Sequence, residues 1–185
     1  MSDAFRTFSF GRRPVRPEVG NSDKLGQQAI RQFGKYSFNA VGEINPICDN
    51  AGQIVTEQPQ PRYQNVRDLP LNKYGQGVFC RFRVGQGWRE SGVYVITEND
   101  NASYIGECEI LEDRFGSNGY GGISPANCFR GGQETNCRIN KLVLNAVVDG
   151  GKLCLWFLHI AGGKAERLRV EAELIAGLRP SWNRQ

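Results

Sequence analysis

The sequence has a single histidine, His159, and none of its six cysteines (Cys48, Cys80, Cys108, Cys128, Cys137 and Cys154) stands in a Cys-x-x-Cys pair. Zinc sites announce themselves by ligand spacing, and that spacing is absent. No apolar run approaches the roughly 20 residues that span a bilayer, and the N-terminus lacks the apolar core of a signal peptide. A soluble, intracellular (cytoplasmic) protein with no membrane partner is expected, and with it buried, reduced thiols rather than disulfides. Hydrophobic residues make up 39% of the chain, enough for one modest core, and its 23 glycines point to many loops. A length of 185 residues suits one domain with an appendage.

Charge is unevenly placed. Residues 1–35 hold seven of the 23 Lys and Arg and three of the 19 Asp and Glu, which accounts for the net charge of +4 and leaves sixteen of each sign elsewhere. The excess lies in an arm, FRTFSFGRRPVRP, that is basic, aromatic and broken by proline. Arg12 and Arg13 make it a candidate for tracking a nucleic-acid backbone. A polar tail with incidental charge is the alternative.

After the arm, SDKLGQQAIRQFG predicts one short helix, with Ser22 as N-cap, Leu25, Ala29, Ile30 and Phe33 on one face and Gly34 as the stop. Residues 36–75 read as an irregular, partly β accessory region: two short strands around a turn at Asn50-Ala51-Gly52, then a Pro- and Gln-rich connection. The main domain is expected over 76–185. There GVYVI and YIG predict a hairpin centred on Asn99, with Tyr94 directly opposite Tyr104 and both phenols on one face. A helix of about two turns is expected from Glu109, followed by a glycine-rich loop. An amphipathic helix over 135–148 presents Ile139, Leu142, Val143, Ala146 and Val147, with Thr135 or Asn136 as its cap. KLCLWFLHI predicts a strand covered on both faces, and KAERLRVEAELIAGL a last helix with Leu168, Ala172, Ile175 and Leu178 inward. The fold class is α+β, a small, mainly antiparallel sheet flanked by helices, with an N-terminal extension.

Two charges fall on apolar faces. Arg114 follows Ile110 by four residues and Leu111 by three, so it shares their side; Glu171 follows Leu168 by three. Each needs a partner, because an unpaired buried charge is expensive. The two residues pair with each other, Glu171 pairs with Arg167 one turn away, or both face a cleft. In a cleft, Arg114 suits phosphate, through the planar fork of its guanidinium. Glu171 suits Mg²⁺, which prefers oxygen ligands. Spacing leaves these alternatives open.

Gly92-Val93-Tyr94 and Tyr104-Ile105-Gly106, with Arg114 ten residues after Tyr104, Glu171 in VEAELIAGLRPSWN and Asn183 close to the end, resemble the GIY-YIG nucleases. The resemblance covers about half the chain, from Gly92 to Asn183. It implies a GIY-YIG-like core and hydrolysis of a DNA phosphodiester with Mg²⁺, for which Mn²⁺ may substitute. Glu171 would be the metal ligand, Arg114 the residue that stabilises charge on the phosphate, and Tyr94 and Tyr104 the pair that activates or places the water. Asn183 falls at the family's late asparagine. Many members carry a histidine four residues after the arginine, where this chain has Asn118, and His159 reads as core or strand-end.

On the helix over 135–148, Arg138, Lys141 and Asn145 lie opposite the apolar stripe. With Asn118 and Asn136 they are candidate contacts to double-stranded DNA, or simply a solvated face. The implied function is a metal-dependent endonuclease of the restriction or defence kind. The alternatives are a repair, mobile-element or nonspecific nuclease, or a catalytically silent nucleic-acid-binding module. Two cuts on a palindrome would require a homodimer or sequential nicking.

Overall fold

The structure, a computed structural model, describes residues 29–184. Its first element is a strand, β1 (Ile30–Phe33), that turns at Gly34-Lys35 into β2 (Tyr36–Glu43). Phe33 faces Tyr36 across a two-residue turn, and Gly34 takes φ +58, the left-handed conformation that such a tight hairpin asks for at its first central position. The helix expected to end at Gly34 is therefore not there over its last turn, and its earlier part, from Ser22, lies outside the described residues. Phe33 and Phe38 are instead buried together across the hairpin, edge to face, with ring centroids 5.2 Å apart.

The segment that follows builds two small ribbons. β3 (Asn45–Pro46) and β4 (Thr56–Glu57) flank a turn in which the Asp49 carboxylate accepts from the amides of Ala51 and Gln53. They pair with β6 (Phe82–Arg83) and β5 (Phe79–Cys80) respectively. The segment VFCRFRV is thus split between two partners, and the accessory region is stitched to it.

The central hairpin is β7 (Gly92–Glu98) and β8 (Asn101–Cys108). Asn99 and Asp100 both have positive φ, as a two-residue primed turn requires. A register shift after Ile96 then sets Ile96 opposite Tyr104 and Tyr94 opposite Gly106. The two tyrosines share a face, as expected, but sit diagonally rather than directly across: the turn centres between Asn99 and Asp100 instead of on Asn99, and the bulge adds one more residue on β8. One turn of helix, α1 (Leu111–Arg114), follows in place of two. The glycine-rich loop contains only a 3₁₀ turn at Pro125–Cys128. α2 (Glu134–Val148), β9 (Leu153–His159) and α3 (Lys164–Leu178) complete the chain.

The result is α+β: a five-stranded, wholly antiparallel sheet in the order β1-β2-β9-β7-β8, with α2 on one face and α3 on the other. Because β2 pairs with β9, the sheet runs across the boundary expected at residue 76. β9 is an inner strand, which explains its unbroken apolar run. Leu153, Leu155 and Phe157 enter the core beneath α2, while Trp156 and Leu158 pack toward α3. Each fully buried side chain of this kind contributes about 1.5–3 kcal/mol.

Two glycines are fixed by close approach. A Cβ at Gly92 would lie 2.1 Å from the Leu158 carbonyl oxygen, and one at Gly106 would lie 2.3 Å from the Tyr94 hydroxyl. The second follows from register: residues directly opposite point the same way, so the Tyr94 ring lies over residue 106.

Four of the cysteines, Cys80, Cys108, Cys128 and Cys137, are buried thiols, whereas Cys48 is exposed and Cys154 half-buried. His159 ends β9 with its Nδ1 3.1 Å from the Ser91 carbonyl oxygen. Among the described residues no helix is long and apolar enough to cross a membrane.

Candidate active site

The cleft forms at the rim of β8, the edge strand, where side chains from both faces of the sheet can meet. Tyr94 and Tyr104 belong to the core beneath α2; Arg114 comes from the end of α1; Glu171 comes from α3 on the other face. All four line one cleft of about 410 Å³, together with Gly106, Glu107, Tyr120 and Asn136. A larger cavity, about 540 Å³, lies beneath the glycine-rich loop and contains none of the four. Convergence of chemistry, not size, singles out the smaller one.

The floor of the cleft is a chain of three phenols. The hydroxyls of Tyr94 and Tyr120 are 3.0 Å apart, and those of Tyr104 and Tyr120 are 3.5 Å apart. Tyr120 sits in the glycine-rich loop and shows no periodicity in the sequence. Its backbone is fixed by Asn140, a fully buried amide of α2 that donates to the carbonyls of Tyr120 and Cys80, 2.8 Å each, and accepts from the Cys80 amide at 3.0 Å. Only its place among the apolar positions of α2 marked Asn140 in the sequence. The Arg114 guanidinium lies over the Tyr120 ring, 5.7 Å from its centroid, at a distance typical of cation–π contact.

Burial sets the protonation of the site. It pushes the Tyr94 phenol well above its ordinary range, reinforced by Tyr120 and Tyr104; the Arg114 charge opposes this and does not prevail. Burial likewise raises Tyr104, with Tyr120 adding to it. Both are therefore neutral hydroxyls at pH 7, and a phenolate at Tyr94 does not form in the free protein.

Glu171 is half-buried, and desolvation, followed by the nearby Glu107 carboxylate, raises its pKa; the Glu107 backbone amide and Arg114 pull the other way. No ion pair engages Glu171 among the described residues. Arg167, the partner expected one turn away, is instead buried against Glu107, with its Nε 2.9 Å from Oε2, and reaches Glu109 at 3.8 Å. That shift follows from the true buried stripe of α3, which is Arg167, Val170 and Leu174. Leu168 and Leu178, expected inward, are 44% and 37% exposed, and Ala172 is exposed.

Asn136 is only 1% exposed. Its Nδ2 donates to the Asn118 carbonyl at 3.3 Å and to Gln133 Oε1 at 3.1 Å, while its Oδ1 has no partner. It is therefore no cap; the N-cap of α2 is Gln133, and no side chain bonds there.

The other sequence candidates lie elsewhere. Asn183 forms a two-point clamp on β8, accepting from the Ile105 amide at 2.9 Å and donating to the Ile105 carbonyl at 2.8 Å. With the Trp182 amide on the Ser103 carbonyl at 2.8 Å, it covers the open edge of the sheet. Arg138 is half-buried: it lies over the Tyr104 ring at 5.7 Å and donates to the Trp182 carbonyl, and its buried Nε has no partner among the described residues. Lys141 lies over Phe79 and donates to the Gln76 carbonyl. Asn145 is exposed on α2, and Asn118 lines an adjoining hollow that shares Arg114 and Asn136 with the cleft. Arg12 and Arg13 lie outside the described residues. No group of three or more His, Cys, Asp or Glu side chains that could hold a metal occurs among the described residues.

No protein-family model matches this chain, and no curated protein or solved structure matches it either.

Proposed function

We propose that this chain is a divalent-metal-dependent DNA endonuclease with a GIY-YIG-like core, site-specific in the manner of restriction or defence enzymes. The observation that carries the reading is the convergence of Tyr94, Tyr104, Arg114 and Glu171, from four separate elements, on one cleft. Residues that served packing alone would have no need to place a half-buried carboxylate, without an ion-pair partner among the described residues, beside a cation-backed row of hydroxyls.

The residues suit a hard cation. Glu171 carries a charge made costly by desolvation and by Glu107, and a divalent ion would relieve both. Glu171 would be its protein ligand, with Mg²⁺ or Mn²⁺ retaining waters for its other positions. When bound, the ion supplies charge stabilisation at a phosphate oxygen and at the leaving oxygen.

The chain's own groups divide the remaining work. Arg114, a permanent cation held at the cleft wall by Tyr120, faces the phosphate and stabilises the extra negative charge that builds on it as water adds to phosphorus. Tyr94, kept neutral by burial, orients that water through its hydroxyl rather than taking its proton. Tyr120 fixes the Tyr94 hydroxyl by hydrogen bonding and is itself bonded to the Tyr104 hydroxyl. Asn136 Oδ1, a buried acceptor at the cleft with no partner among the described residues, offers one to a ligand N–H or O–H that reaches it.

Incubation of the purified protein with Mg²⁺ and unmodified genomic DNA, against an EDTA control, tests the reading. Discrete fragments that require Mg²⁺ are expected. A smear would replace site specificity with nonspecific cleavage, and binding without cleavage would replace the nuclease with a silent binding module.

A further inference from the structure

The lip of the cleft continues into a cationic patch that the accessory region supplies. Segment 70–74 is laid along the glycine-rich loop. The Asn72 amide donates to the Cys128 carbonyl at 2.9 Å, the Asn72 side chain to the Asn127 carbonyl at 2.6 Å, and Arg130 N–H to the Pro70 carbonyl at 2.9 Å. This docking brings the Tyr74 ring within reach of two cations. Lys73 Nζ and the Arg184 guanidinium each lie 5.5 Å from its centroid. Arg184 in turn bonds Glu134 at 2.8 Å, and Glu134 lines the cleft. The patch is therefore tied to the cleft through named contacts. Among the described residues its one carboxylate partner is Glu134, and Lys73 makes no ion pair, which leaves an excess of positive charge. Hydrogen bonding from Arg184, and the charges of Lys73, Arg184 and Arg138, lower the Tyr74 pKa despite its burial, consistent with a positive local field.

We propose that Lys73 and Arg184, both beside Tyr74, grip the phosphate backbone of the nucleic acid that flanks the cleft, so that residues 70–74 serve as an anchoring arm of the accessory region. The patch fits a polyanion with regularly spaced charges: two exposed cations beside one aromatic ring meet phosphates, and nothing in it reads a base edge. The choice of nucleic acid as the polyanion rests on the nuclease reading; the existence of the patch does not.

The test is binding, measured apart from cleavage. A random-sequence DNA duplex is titrated by fluorescence anisotropy in EDTA across a salt series, for wild type, Lys73→Gln, Lys73→Gln/Arg184→Gln, and Arg169→Gln as a control. Arg169 is exposed and engages Glu173 on α3. Each lost phosphate contact flattens the slope of log K against log salt by roughly 0.9, so the double variant is expected to lose about 1.8 and Lys73→Gln about half of that. Arg169→Gln should match wild type. Lys73→Gln preserves the test even if Arg184 also helps to seat the tail, since Lys73 is exposed and forms no ion pair among the described residues. Equal slopes for wild type and the double variant overturn the inference, whether or not the protein cuts DNA. A flattened slope in a protein that never cuts DNA keeps the patch and overturns the nuclease. Polyglutamate bound at the patch in preference to the duplex would make the partner an acidic protein and overturn the assignment.

Discussion

Replacement of Asn183 by alanine separates the role that the GIY-YIG resemblance gives this residue from the role its contacts give it. Its amide meets the Ile105 amide and carbonyl at 2.9 and 2.8 Å, satisfying both outward-facing groups of an edge-strand residue that is itself buried. A net contribution of about 0.5–1.5 kcal/mol per hydrogen bond gives a loss of about 1–3 kcal/mol for Asn183→Ala. The upper half of that range applies if water fails to reach the freed groups. Asn183→Asp retains the acceptor but turns a charged oxygen toward the Ile105 carbonyl, and should cost at least as much. Urea denaturation followed by circular dichroism reads the change as a shift in midpoint at constant slope. The cleft residues are untouched, so cleavage by the folded fraction should persist. A stability change below about 0.5 kcal/mol together with lost cleavage would refute the clamp and return Asn183 to the reaction.

Three further outcomes follow from the geometry. Gly106→Ala sets a methyl 2.3 Å from the Tyr94 hydroxyl, and overpacking of this kind typically costs about 1–3 kcal/mol; thermal denaturation and near-UV circular dichroism of the displaced tyrosine report it. Tyr120→Phe removes the shared hydroxyl between Tyr94 and Tyr104, leaving two buried phenols without that partner. A loss of about 1–2 kcal/mol is expected, with reduced cleavage. Glu171 has a folded-state pKa raised above its ordinary 4.5, so between those two values the folded state holds the extra proton. Its contribution to stability therefore falls as pH rises through that window, and Glu171→Gln should remove this part of the pH dependence. Equal pH–stability curves for the two proteins, measured without divalent ions, would count against a desolvated carboxylate.

Much of the fold was legible because its signals are local. The order of elements from β7 to α3 and the two-sided burial of β9 follow from period and turn chemistry. What stayed hidden depends on pairing at a distance. Phe-Gly-Lys-Tyr at 33–36 carried a hairpin signal, yet Ile30 and Phe33 also fit a helical face, and only the partner strand β9 decides between them. The bulge after Ile96 has no sequence signature, so the tyrosines were displaced by a register step. On α3 the inward stripe includes an arginine, Arg167, whose burial is made tolerable by Glu107 on β8, sixty residues away in sequence. A hydrophobic pattern cannot find such a position, and it shifted the expected stripe onto Leu168. Of the candidate site, the spacing of Tyr94, Tyr104, Arg114 and Glu171 was enough to nominate residues that share a cleft. Tyr120 and Asn140 lie outside that spacing because their roles come from tertiary contact alone.

The most direct measurement of the central claim is Glu171→Ala, compared with wild type for thermal stability and for Mg²⁺-dependent DNA cleavage in one preparation. If Glu171 serves the reaction, the variant folds with an unchanged or higher melting temperature, because no ion pair among the described residues is lost and a strained charge is relieved, and cleavage disappears. Divalent ions should raise the melting temperature of wild type alone. If the variant loses about 3–5 kcal/mol, as breaking a buried ion pair does, or if it still cuts DNA, Glu171 is structural or dispensable and the account fails.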